Sequence, residues 1–198
     1  MFYSVWRRCL VAVPIVLSIF SSVGEVSARP AAVFIPHLQR IQSNLPSGLV
    51  MRLPSRIPLQ APSDINEGKL VVQVFPSEIP QSFTVSLFSC DRSPHPCLLG
   101  SFSVAPKTNV SAKQELERHR AKGDRLTLLT NANVVGYILE GPRQNPSLTF
   151  STMMWQQNDM IYTISFPAIE KEAILVMAGS MAQEKPLNRV VTRPVSSP

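Results

Sequence analysis

Residues 82–104 read SFTVSLFSCDRSPHPCLLGSFSV, and the fold follows from how the two ends of that stretch pair. In residues 82–88, Phe83, Val85 and Leu87 alternate with Thr84 and Ser86, the period-two pattern of a strand with one buried and one polar face. Residues 98–104 form a second strand, and Cys90 and Cys97 lie in the Pro-rich loop between the two. An antiparallel hairpin brings the sulfurs together, and an oxidising compartment keeps them joined. Closing so short a ring is worth about 2.5 kcal/mol in the loop-closure model, and it pins the register of the hairpin. The C-x-x-C spacing of redox and zinc sites is absent, so the clip reads as structural. His95 lies between the cysteines, but three ligands in so short and stiff a loop would be strained, and no metal is expected.

Working outward, residues 69–75 (KLVVQVF) are apolar and rich in β-branched side chains, and read as a strand ahead of the hairpin. Residues 126–130, 134–140, 147–155 and 160–166 read as four more strands. Asn131-Ala132-Asn133, Gly141-Pro142 and Asn158-Asp159 supply the turns. Residues 111–122 (SAKQELERHRAK) form a surface helix, with Ser111 and Gln114 as its capping pair and Gly123 as its stop. Leu116 is its only large apolar residue, so it packs lightly and keeps its charges in water. Residues 168–183 place Ile169, Ala173, Val176, Met177 and Ser180 along one helical face. The middle of that helix is apolar all round, which predicts cover on both sides, with a buried strand as the competing reading. The sum is an α+β domain. It has a mostly antiparallel sheet of six or seven strands, a C-terminal packing helix and one short surface helix.

The domain occupies residues 67–182. Ahead of it, prolines at 30, 36, 46, 54, 58 and 62 deny residues 29–66 a long helix and suit an extended strap, with a short helical turn at 37–44. Residues 183–198 lose periodicity and read as a disordered basic tail. Residues 1–28 read as a signal peptide. Arg7 and Arg8 precede an apolar run over 9–20, and Val26-Ser27-Ala28 ends it with small residues, which predicts cleavage between Ala28 and Arg29. The run is shorter than the ~20 residues of a spanning helix. Cys9 stands at its start, where no lipid anchor would be attached. The protein is therefore expected in a periplasm, a lumen or the medium.

The chain carries a formal charge of +6, with a pI near 9.6. Arg118, Arg120, Lys122 and Arg125 are the densest basic cluster and the candidate anion-binding residues, although Glu115, Glu117 and Asp124 dilute them. No basic stripe interleaves with aromatics, and export argues against a nucleic-acid partner. An anionic envelope polymer, a membrane surface or a protein partner fits better, drawn by charge. There is no G-x-S-x-G elbow and no phosphate-binding Gly loop, and His37, His95 and His119 are the only histidines. Asp91, His95 and the neighbouring serines share one short loop, whereas catalytic triads gather from separate segments. Glu115 and His119, at i and i+4, read as a solvated pair and not as metal ligands. No catalytic residue and no cofactor is assigned. The expected function is a non-catalytic binding or structural module. The alternative is a small secreted hydrolase, for which two carboxylates would have to converge.

Two segments carry a resemblance. The stretch Val50-Met51-Arg52-Leu53-Pro54-Ser55-Arg56-Ile57-Pro58, and Trp155-x6-Tyr162-x-Ile164 followed by a helix ending Ala178-Gly179-Ser180-Met181, are similar to a group of uncharacterised exported bacterial proteins. The resemblance implies export and an α+β domain, and attaches no activity. Read from the residues themselves, Trp155 and Tyr162 belong to the core, each with a polar atom that reaches a loop.

Overall fold

The computed structural model describes residues 29–58, 70–90, 97–129, 133–167 and 171–190. The expected signal peptide, the end of the strap, the loop bearing Asp91 and His95, and the last eight residues lie outside the described residues. A 3-10 segment (Ala32–His37) runs into α1 (Leu38–Asn44). Seven strands follow: β1 (Val71–Glu78), β2 (Gln81–Phe88), β3 (Leu98–Pro106), β4 (Asp124–Leu129), β5 (Val134–Leu139), β6 (Phe150–Gln157) and β7 (Met160–Pro167). Helix α2 (Val110–Lys122) lies between β3 and β4, and α3 (Lys171–Gln183) follows β7.

One antiparallel sheet holds all seven strands in the order β1-β2-β3-β7-β6-β5-β4. Strands β1 to β3 form a meander. The chain then crosses the sheet as α2 to the far edge and winds back through β4, β5 and β6, so that β7 closes against β3 in the middle. The expected hairpin is β2 with β3, paired Phe83 to Val104 and Val85 to Phe102. At its loop end the Ser89 amide donates to the Cys97 carbonyl at 3.0 Å, and Cys90 and Cys97 are joined by a disulfide with Cα atoms 5.8 Å apart.

Alternation along the strands gives the sheet two unlike faces. The inner face carries Phe83, Val85, Leu87, Phe102, Val104, Trp155, Tyr162 and Ile164, all buried. The Phe102 ring lies 5.7 Å from Phe34 of the 3-10 segment and 5.4 Å from Phe166 of β7. Gly100 makes that approach possible, because a Cβ there would stand 2.4 Å from the Phe166 ring. Trp155 and Tyr162 stack at 5.4 Å on neighbouring strands, and the Tyr162 hydroxyl donates to the Val50 carbonyl at 3.0 Å. Their place in the core is as expected. The Trp155 indole, however, reaches the Gln157 side chain and not a loop backbone.

Helix α1, the segment after it and α3 cover this face. Helix α3 buries Ala173, Ile174, Met177, Ala178, Met181 and Ala182, but Val176 is 42% exposed. The expected cover on both sides is thus corrected: the face of α3 that carries Val176 is open to water. Leu45, Leu49, Met51, Leu53 and Ile57 of the strap sink into the core and do not rest on its surface. The prolines forbid regular pairing but leave an extended chain whose apolar side chains fill the space beside α3. Met51 pairs with Leu187, and Glu184 is buried, so the chain stays on the domain beyond Gln183 as far as Val190. Arg52, also buried, donates to the carbonyls of Ala182 and Glu184. A strap cation therefore satisfies the free carbonyls at the end of α3, where the helix dipole favours positive charge.

Where no helix lies on it, the outer face carries hydroxyls, with Phe75 of β1, opposite Thr84, as an exposed apolar exception. Cross-strand partners there include Thr84 with Ser103 and Ser101 with Ser165, and the Thr84 and Ser103 hydroxyls sit 2.8 Å apart. Helix α2 crosses the rest, resting Leu116 on Met154 and Ile161. Its cap is Asn109, whose side chain accepts from the Ala112 amide at 3.0 Å, in place of the expected Ser111. The helix begins two residues earlier than a Ser111 cap indicates.

Candidate functional site

Helix α2 is the one helix on the outer face among the described residues, and the charged residues singled out in the sequence surround it. The thin apolar stripe is as expected, with Leu116 and His119 buried. The solvated Glu115–His119 pair is not. The His119 ring is fully enclosed between α2 and the sheet. Its Nδ1 donates to the Glu115 carbonyl at 2.9 Å, with the Glu115 carboxylate 3.4 Å away. Nε2 is buried with no hydrogen-bond partner, near the Thr152 backbone. Burial pushes the His119 pKa below 6.5, against the opposing pull of the Glu115 carbonyl and carboxylate. The ring is thus neutral at neutral pH and serves packing.

At the C-terminal end of α2 a cleft of about 250 Å³ is lined by Arg118, Lys122, Asp124, Glu140, Arg143 and Gln144. Glu115 accepts from Arg118, and Glu140 accepts from both Arg143 and Lys171. The same Arg143 nitrogen stands 2.9 Å from Glu140 and 3.8 Å from Asp124, which holds the two carboxylates within about 7 Å of each other, inside the span used by glycosidase pairs. Such a pair needs one carboxyl kept protonated by apolar burial. Here cations clasp Glu140, whose side chain is 16% exposed, and Asp124 is 64% exposed to water. The two carboxylates thus share a guanidinium and lack the apolar pocket that such a pair needs.

Arg120 and Arg125 lie apart from Arg118 and Lys122. Arg120 is paired with Glu117 at 2.8 Å and sits over the Tyr137 ring at 5.8 Å, while Arg125 is the cross-strand partner of Tyr137. The four candidate cations therefore divide between two sides of α2 and do not converge on one pocket. Along the N-terminal half of α2 runs a second groove, of about 920 Å³. Its floor is Leu116 and Ile161, and Val110, Lys107, Lys113 and Arg120 stand around it. A third hollow, of about 360 Å³, presents Ser82, Thr84, Ser103, Thr163 and Glu115.

Sequence reading missed Glu140, Arg143, Lys171 and Arg52, because none stands in a motif and only the chain's return across the sheet gathers the first three. Among the described residues no three His, Cys, Asp or Glu side chains come together to hold a metal, and no helix is long and apolar enough to cross a membrane. The chain matches no family model, no curated protein and no solved structure.

Proposed function

We propose that this is an exported, non-catalytic envelope module that binds an anionic partner, a polymer or a lipid surface, through the α2 side of its sheet. The observation that carries the reading is the contrast in cover. The inner face is closed by α1, the strap and α3, whereas α2 keeps Lys113, Arg118, Arg120 and Lys122 exposed on the open side. Spread along a helix and not gathered in a pocket, these cations suit a repeating or extended anion, and the interaction should weaken with salt. The Cys90–Cys97 bond and the signal-like first residues support export. The test is retention on immobilised polyglutamate and on anionic vesicles across a salt series. Wild type is expected to bind at least one of them at low salt and release as salt rises. The variant R118Q/R120Q/K122Q/R125Q is expected to bind at least about tenfold more weakly. Undiminished binding by that variant would remove the reading.

The second reading, a hydrolase, is favoured by the proximity of Asp124 and Glu140. It requires that the protein cleave glycan substrates and that E140Q abolish the cleavage. Turnover of that kind would displace the binding reading.

A further inference from the structure

Four turns lie at one end of the sheet, opposite the disulfide: β1 to β2, β3 to α2, β6 to β7, and the entrance to β5. That end carries the two most exposed large apolar side chains of the described residues, Ile79 at 94% and Val110 at 67%. They stand close together. The Asn109 side chain, which caps α2 next to Val110, donates to the Gln81 carbonyl at 2.9 Å, two residues beyond Ile79. Pro80 and Ser111 line the same hollow.

An isolated exposed aliphatic means little, but two on neighbouring protruding turns, with basic side chains beside them, form a mark of interfacial docking. Lys107 and Lys113 flank Val110. Gln81 donates to the Ser47 carbonyl, which brings Arg189 to the same end through its bond to the Ser47 hydroxyl. The acids present are Glu78 next to Ile79, Glu115 in the same hollow and paired with Arg118, Glu117 paired with Arg120, and Asp159 on Lys107 at 2.6 Å. Lys113 and Arg189 have no acidic partner among the described residues. Beside Val110 the 920 Å³ groove opens, its floor formed by Leu116 and Ile161.

We propose that this end of the molecule docks on an anionic phospholipid bilayer. Ile79 and Val110 enter the boundary between headgroups and acyl chains, Lys107, Lys113 and Arg189 lie against the phosphates, and the groove accepts lipid displaced by the turns. The inference rests on the binding reading above and narrows it to lipid. A purely charged partner would gain nothing from Ile79, whereas a bilayer gains from burying both side chains.

The experiment is flotation of the disulfide-intact mature chain with phosphatidylcholine vesicles and with vesicles of equal parts phosphatidylcholine and phosphatidylglycerol. Retention on immobilised polyglutamate runs in parallel. Wild type is expected to float with the anionic vesicles only. I79S and V110S, both at exposed sites that leave folding intact, are expected to weaken flotation by about tenfold each and leave any polyglutamate retention unchanged. K113E is expected to weaken both. Flotation of the I79S/V110S double variant as tight as wild type overturns the docking end. Retention on polyglutamate without flotation overturns the lipid and leaves the anionic-partner reading standing, and failure on both overturns the two together.

Discussion

Phe102 and Ser103 are neighbours on β3, yet they live in different solvents. Phe102 is enclosed by Phe34, Phe166 and the helices of the inner face. Ser103 points the other way, its hydroxyl 2.8 Å from Thr84 on a face that α2 covers only in part. The inner face is where folding free energy is gained, through burial of aromatic and aliphatic surface. The outer face offers α2 little apolar contact beyond Leu116 and leaves charge and hydroxyls in water. A domain built this way can vary one face for binding without touching what holds it together.

That contrast can be broken most directly from the inside. Phe102→Ala removes a ring from between two others and is expected to cost about 4 kcal/mol in denaturant unfolding. Arg52→Ala leaves the Glu184 carbonyl at the end of α3 without its buried donor, while the Ala182 carbonyl keeps the Gln157 amide, and is expected to cost about 2 kcal/mol, with Arg52→Lys rescuing little because an ammonium lacks the planar fork. On the outer face, Leu116→Ala is expected to cost about 2 kcal/mol, the low end for a buried Leu, since few groups pack on it. Each is measured by the shift in the unfolding midpoint at constant slope.

A subtler difference is in acid. His119 has its pKa lowered by burial, so the unfolded chain binds more protons than the folded one as pH falls. Its contribution is fully present above the ordinary value of 6.5 and is lost as pH drops below 6.5 through the lowered value. His37, lowered by its own burial and by Arg40, adds to the same loss. Unfolding midpoints measured on both sides of that window should fall with acid in wild type. They should fall less in His119→Gln, with the His37 share remaining. The smallest effect is expected for Lys122→Glu, within about 0.5 kcal/mol of wild type, because the side chain is exposed on α2.

The inner face was legible because its information is periodic. Phe83, Val85 and Leu87 announce β2, and Tyr162, Ile164 and Phe166 announce β7, each by alternation alone. Cys90 and Cys97 added the register of the hairpin. What escaped depends on contacts distant in the chain. Periodicity could not tell that Met51 pairs with Leu187 or that Arg52 reaches the end of α3, since neither residue belongs to a repeating pattern. His119 reads as solvated because its neighbours on α2 are charged, whereas its place one turn after Leu116 puts it on the face that meets the sheet. The same limit applied to the basic cluster. Arg118, Arg120, Lys122 and Arg125 are close in sequence, but the helix and the turn at Gly123 send them to different sides.

Native-state amide hydrogen exchange tests the two-faced account most directly, because it reads the stability of each helix separately in one sample. Amides of α3, held by six buried side chains and by Arg52, are expected to exchange only through global unfolding. Those of α2, held by Leu116 and His119, are expected to exchange through a local opening of lower free energy, with little dependence on denaturant. Equal protection of α2 and α3, with equal denaturant dependence, would contradict the account. The outer face would then be as much a part of the core as the inner one.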